Sequence, residues 1–257
     1  MLLALDVGNT NIVVGVFDGE SLIYNWRIAT LRNRTSDEYG IVIKNLFVHN
    51  NLGDLKIEGI IISSVVPPVM PALSKMAKQY FDIEPIIIGP GIRTQLSIKT
   101  ENPREVGADR IVNAVATLHK YGAPAIVVDY GTATTFCVIN RKGEYLGGCI
   151  TPGIGISTEA LFERAAKLPR IELIKPASIV GKNTISSMQS GIIYGYLGQL
   201  EGLIKKISEE TQESYKVVVT GGLAPLIAAE STLVDHVDPY LTLDGLRILY
   251  QKNKKED

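Results

Sequence analysis

Two short segments of this chain set a carboxylate, a glycine and a small polar residue at the end of an apolar run. They are Asp6-Val7-Gly8-Asn9-Thr10 after Leu2 to Leu5, and Asp129-Tyr130-Gly131-Thr132 after Ala125 to Val128. The combination suits phosphate. Glycine lets backbone approach a ligand closely, and successive turn N–H groups with a threonine hydroxyl donate to phosphate oxygens. An aspartate at the end of an apolar run is costly to bury alone, so it is expected to hold a cation directly or through water. Taken singly, each segment is equally well an ordinary β-turn, because Asp, Asn and Gly are favoured in turns for backbone reasons alone. Turn chemistry does not require the same Asp-x-Gly pattern twice, however, and the recurrence points to one use made in duplicate. Neither segment is a Walker loop. No Gly-Lys-Ser/Thr follows, and a strand rather than a helix comes next, Ile12 to Phe17 in one case and Thr134 to Ile139 in the other.

A third segment, Gly107-Ala108-Asp109-Arg110, pairs a carboxylate with a guanidinium. Phosphorylating an alcohol calls for a carboxylate beside the hydroxyl, and an acidic substrate calls for a cation that can grip it in a forked geometry. Asp109 is also placed to be an N-cap, because the apolar spacing of Ile111, Val115 and Leu118 starts a helix directly after it. The two readings are compatible, since a helix start favours negative charge. Thr184, at the end of Gly181-Lys182-Asn183-Thr184, reads as the N-cap of a helix over Ile185 to Ile207, and Gly221-Gly222-Leu223 follows a strand at Lys216 to Val219. That glycine pair fits close approach of a nucleotide or a plain strand-to-helix turn.

These residues must be carried by α/β elements. Gly59 to Val66 reads as a buried strand, Val69 to Phe81 as a helix and Pro85 to Ile88 as a further strand, while Asp18-Gly19 and Lys142-Gly143 close hairpins. Aligning Asp6 with Asp129, Gly8 with Gly131 and Asn9 with Thr132 divides the chain into two related halves, 1–106 and 107–257. The last thirty or so residues give no clear pattern, and the charged tail from Lys252 reads as a solvated end. With 257 residues, 46% hydrophobic and 21% charged, and a formal net charge of −1, the chain has material for a sizeable core. It lacks the basic excess of a nucleic-acid binder, and no membrane span or leader is expected, which favours the cytoplasm. Cys137 and Cys149 have no partner at metal-ligand spacing and read as reduced and structural. His49, His119 and His236 are scattered.

The paired hairpins resemble the phosphate-binding elements of the acetate kinase, hexokinase and actin superfamily. More narrowly, the two hairpins, Gly107-Ala108-Asp109-Arg110 and the run from Gly147-Gly148 to Pro152-Gly153 together resemble type III pantothenate kinase, from Leu2 to about Gly222. That resemblance implies two related ribonuclease H-like lobes with a nucleotide cleft between them. It implies ATP on the first hairpin, at Asp6, Val7, Gly8, Asn9, Thr10, Asn11, Ile12 and Val13, and at Gly131 and Thr132. Mg2+ is implied near Asp6, and K+ or ammonium at Asp129. Pantothenate is implied at Gly107, Ala108, Asp109 and Arg110, with Asp109 as the base. Thr184 is implied as a pantothenate contact made across a homodimer interface. The chain departs from the family where Lys99-Thr100-Glu101 stands, a place where an aromatic residue is often found. The activity so implied is ATP-dependent phosphorylation of pantothenate, the first step of coenzyme A synthesis. The alternatives are another small-metabolite kinase or phosphatase of the superfamily, and a non-catalytic transcriptional accessory protein.

Overall fold

The computed structural model describes residues 1–53 and 55–254. In chain order its elements are β1 (Leu2–Val7), β2 (Asn11–Asp18), β3 (Ser21–Ala29), α1 (Ser36–His49), β4 (Gly59–Ser64), α2 (Met70–Phe81), β5 (Ile86–Ile87), β6 (Ser97–Ile98), α3 (Ala108–Tyr121), β7 (Ala125–Tyr130), β8 (Ala133–Ile139), β9 (Glu144–Pro152), α4 (Ile154–Arg164), α5 (Thr184–Thr211), β10 (Lys216–Thr220), α6 (Ala224–Ala228), β11 (His236–Val237) and α7 (Leu241–Asn253). They fall into two compact units, one of Met1–Gln95, Arg104–Ala116 and Thr242–Asp257, the other of Leu96–Pro103 and Thr117–Leu241.

The first unit is built on a sheet of order β3-β2-β1-β4-β5, with β1 antiparallel to β2 and parallel to β4. One face carries Leu3, Leu5, Val7, Val14, Ile60 and Ile62, which pack with Tyr39 and Phe47 of α1 and with Leu73 and Met76 of α2. Helix α1, absent from the pattern read above, begins at a capping box. The Thr35 hydroxyl accepts from Glu38 N at 3.2 Å, and the Glu38 carboxylate accepts from Thr35 N at 2.7 Å. The opposite face carries Gly15 and Gly59, where an added Cβ would run into Leu243 and Tyr250 of α7, and Gly245 of α7 lies as closely against Val112 of α3. These glycines let α7 and the start of α3 lie close, which is why residues from both ends of the sequence join this unit. The units are therefore drawn differently from a single cut after residue 106. The end of the chain that gave no clear sequence pattern is largely helix α7; its tail from residue 255 lies outside the described residues.

The second unit repeats the plan. Its sheet has the order β11-β10-β7-β8-β9-β6, so β9-β8-β7-β10-β11 corresponds strand for strand to β3-β2-β1-β4-β5, and β6 is added at one edge. The repeat extends to burial. Strands β1 and β7 show the same succession of four buried residues, a partly exposed aspartate and another buried residue. The core here joins Ile126, Val128 and Val219 to Ile193, Leu200 and Ile204 of α5 and Ala224 and Ile227 of α6. Cys137 is buried and Cys149 partly so; both are thiols, and the Tyr145 hydroxyl lies 3.6 Å from the Cys137 sulfur. No helix among the described residues is long and apolar enough to cross a membrane.

Candidate active site

The hairpin carrying Asp6 turns through Gly8, Asn9, Thr10 and Asn11. Gly8 N donates to the Asn11 carbonyl at 3.0 Å, and Thr30 at the end of the next strand braces the loop twice. Its hydroxyl donates to the Gly8 carbonyl at 2.7 Å and its N–H to the Thr10 carbonyl at 3.0 Å. Three loop carbonyls are thereby turned into the protein while Asn9 and Thr10 stay exposed, an arrangement that suits an anion-facing turn. The side chains of Val7 and Ile12 are fully buried in the core, so what these two positions can offer a ligand is backbone alone.

In the second unit the corresponding loop is one residue shorter. Asp129 pairs with Thr135 and Tyr130 with Thr134, and Gly131 N donates to the Ala133 carbonyl at 3.2 Å. Gly131 and Thr132 are exposed. The loop rests on Gly153, whose N–H donates to the Thr132 carbonyl at 3.0 Å, and a Cβ at Gly153 would collide with the carbonyls of Gly131 and Thr132. Gly221 supports the same hairpin from β10. At φ +98° it lies against the backbone of Tyr130, with room for no Cβ. This glycine is accounted for by packing and backbone conformation, so the plain-turn reading explains its type without a nucleotide.

Asp109 does not cap its helix. Helix α3 starts at Ala108, and the Gly107 carbonyl accepts the helical bond from Ile111 N at 3.1 Å, which leaves Asp109 inside the first turn. Its Oδ1 accepts from Arg110 N at 2.8 Å. Burial raises the pKa of this carboxyl above the ordinary aspartate value, opposed by the hydrogen bond from the Arg110 amide and by the Arg110 charge. Gly107 makes room for the group, since a Cβ there would stand 2.6 Å from Asp109 Oδ1. A carboxylate that is partly withdrawn from water, raised in basicity and held by a helix amide has the properties of a general base.

Thr184 is likewise not the cap of its helix. Asn183 takes that role, its side chain accepting from Ser186 N at 2.8 Å while the Ser186 hydroxyl accepts from Asn183 N at 3.2 Å. The Thr184 side chain is exposed and lines a cavity of about 890 Å³ with Ser157, Leu161, Met188, Tyr196 and Gln199. The first unit thus holds Asp6 to Val13 together with Gly107 to Arg110, and the second holds Asp129, Gly131, Thr132 and Thr184.

Sequence reasoning passed over two hydroxyls. Ser63 on β4 pairs with Asp6, and Thr220 on β10 pairs with Asp129. The signal that would have found them is a hydroxyl residue at the end of each apolar run that adjoins a hairpin. Thr100, in the place of the expected aromatic, holds its hydroxyl buried with no protein partner, next to Gly147.

The family model described as type III pantothenate kinase matches residues 2–206. Two proteins named type III pantothenate kinase, from Geobacillus thermodenitrificans (strain NG80-2) and Geobacillus kaustophilus (strain HTA426), are 61% and 60% identical over 256 residues, covering 100% of this chain and 99% of each relative. Among solved structures, a protein described as a Baf family transcriptional activator from Campylobacter jejuni superposes with a TM-score of 0.62 at 19% identity, covering 98% of both chains. The activator of the 2-hydroxyisocaproyl-CoA dehydratase from Clostridium difficile, with bound ADPNP, gives 0.51 at 14% identity over 100% of this chain and 98% of that one. At such identities these structures speak for the fold alone, the two-lobed α/β architecture expected from the paired hairpins. The full-length relatives and the matched family model speak for more: the chain belongs to the type III pantothenate kinase family.

Proposed function

We propose that this chain transfers the terminal phosphoryl group of ATP to the primary alcohol of pantothenate, and that Asp109 takes the hydroxyl proton. The observation that carries the role of Asp109 is its setting in the first turn of α3. The helix amide at 2.8 Å orients the carboxylate, and burial makes it more basic than an ordinary aspartate. Arg110, the next residue, supplies the cation for the substrate carboxylate. Phosphoryl transfer asks little covalent chemistry of a protein and much positioning, and the braced loops at Gly8 to Asn11 and Gly131 to Thr132 are suited to holding phosphates. Mg2+ arriving with ATP would offset phosphate charge, and Asp6 is the residue that would hold it; the partnerless Ser63 hydroxyl on the adjoining strand fits a hydrated ion there. The corresponding carboxylate of the repeat, Asp129, would hold K+ or ammonium.

We also infer a homodimer in which Thr184 reaches the substrate of the partner subunit. Release of Thr184 from capping supports this, as do the apolar side chains around it. Ile179, Val180 and Ile185, all within five residues of Thr184 in sequence, are 64%, 73% and 50% exposed. An ADP-release assay across pantothenate and other small hydroxy acids tests the reading. Saturable turnover with pantothenate is expected, and equal rates with unrelated hydroxy acids would remove it in favour of another kinase of the superfamily.

A further inference from the structure

We infer that Ser63 is a positioning residue for the divalent cation that accompanies ATP, its hydroxyl orienting a water or phosphate oxygen in the ion's shell beside Asp6. The inference rests on the reading of the first hairpin as the ATP site.

The geometry begins with register. In the parallel pair β1 and β4, Asp6 stands opposite Ser63, and neighbours in a sheet lie about 4.8 Å apart with side chains on one face. Strand β4 runs through Gly59, Ile60, Ile61 and Ile62, all buried, before it reaches Ser63 and the partly exposed Ser64. A fully buried hydroxyl at Ser63 is out of keeping with the apolar residues that precede it. Ser63 is fully buried, and its Oγ has no hydrogen-bond partner in the protein. The next residue shows the usual alternative, since Ser64 Oγ accepts from Val66 N at 3.0 Å. A buried hydroxyl with no partner weakens the fold, and a ligand that supplies the partner recovers that loss only when bound.

The second observation is the internal repeat. In the other sheet β7 and β10 form the equivalent parallel pair, and there Asp129 stands opposite Thr220, which is 2% exposed. A carboxylate on the first strand with a buried serine or threonine across from it thus recurs in both units, at the strand ends that lead into the exposed loops. Packing alone prefers an aliphatic residue in such a place. The ion's own chemistry explains the choice of serine. A small hard cation keeps several waters and takes its other ligands from one or two carboxylates and from phosphates. Those waters need acceptors beyond the carboxylate, and a hydroxyl can accept from a water or donate to a phosphate oxygen.

The test uses Mn2+ as a spectroscopically visible probe and a non-hydrolysable ATP analogue. Three quantities are measured for wild type, Ser63→Ala and Ser63→Cys: Mn2+ affinity of the analogue-bound protein by electron paramagnetic resonance, analogue affinity in EDTA, and the melting temperature of the ligand-free protein. Both variants are expected to bind Mn2+ about tenfold more weakly, a loss of about 1.4 kcal/mol. Their metal-free analogue affinity should stay within twofold of wild type. Their melting temperature should hold or rise, because a partnerless buried hydroxyl has been removed. Mn2+ affinity within twofold of wild type in both variants overturns the inference. So does an equal loss of analogue affinity in EDTA, or failure of both variants to fold, since each makes Ser63 a structural residue. If wild type itself binds no analogue, the ATP-site reading fails first, and that result is told apart by appearing before any substitution.

Discussion

Replacing Asp109 with asparagine isolates charge from shape. Asparagine keeps the acceptor oxygen that Arg110 N meets at 2.8 Å, so the first turn of α3 keeps its internal partner while the proton-accepting capacity is lost. If Asp109 is the base, turnover should fall about a hundred- to ten-thousand-fold, a barrier increase of about 2.7 to 5.4 kcal/mol. Stability follows a separate sign. Burial raises the folded pKa of Asp109 above its ordinary value, so protonation of this group favours the folded state. That contribution is complete below the ordinary carboxylate pKa and is lost as pH rises through the folded one. Above the folded pKa the wild-type protein has none of it, and a neutral amide forfeits nothing there. The melting temperature of Asp109→Asn should therefore hold or rise. The raised pKa also predicts that the acidic limb of kcat/KM in wild type lies above the ordinary aspartate range and disappears in the variant. An ADP-release assay from acid to neutral pH, with thermal melts and ATP binding run in parallel, reads all of this. Near-normal turnover by a folded Asp109→Asn protein would refute the general-base argument.

The other predictions concern the surroundings of these groups. Gly107→Ala places a Cβ 2.6 Å from Asp109 Oδ1. The carboxylate can rotate away, so turnover should drop about a hundredfold while the melting temperature changes little; an unaltered rate would mean that its orientation does not matter. Asn183→Ala removes the cap of α5 and should lose about 0.5–2 kcal/mol of stability. Thr184→Ala should leave stability alone and raise the KM for pantothenate, and a fully active monomer in sedimentation at assay concentration would count against the shared site. Turnover should depend on K+ or ammonium through Asp129, and equal rates in sodium-only and potassium buffers, with Mg2+ and ATP constant, would remove that assignment.

The legible parts of this sequence were those where a local rule and the fold agree. Asp-x-Gly at the end of an apolar run predicts a strand, a turn and a returning strand, and both hairpins have that form. The helices expected over Ile185 to Ile207 and Val69 to Phe81 are observed at Thr184–Thr211 and Met70–Phe81. The two misplaced caps show the limit. Ser, Thr, Asp, Asn and Gly are all favoured as caps, so residue type alone does not decide between Asn183 and Thr184 or between Gly107 and Asp109. The outcome is decided by which residue's carbonyl closes the first helical turn, a matter of one or two residues in register. In both places the candidate site residue sits one or two positions inside the helix, so its side chain is not the cap.

Helix α7 was hidden for a different reason. Its packing partners are glycines at Gly15 and Gly59, more than 180 residues away in the chain, and its own pattern matches a surface that no local window contains. The hydroxyls of Ser63 and Thr220 were missed on the same ground: each means something only beside the aspartate on the neighbouring strand, and strand order is a property of the sheet. The internal repeat is the exception that links the two levels. Once Asp6 is aligned with Asp129, the equivalence of β4 with β10 follows from topology, and Ser63 and Thr220 come into correspondence without any further assumption. A duplicated fold thus supplies its own comparison. A feature that survives in both copies where packing would prefer an aliphatic side chain is evidence for a demand outside the core, and here the demand falls beside the two carboxylates expected to hold cations.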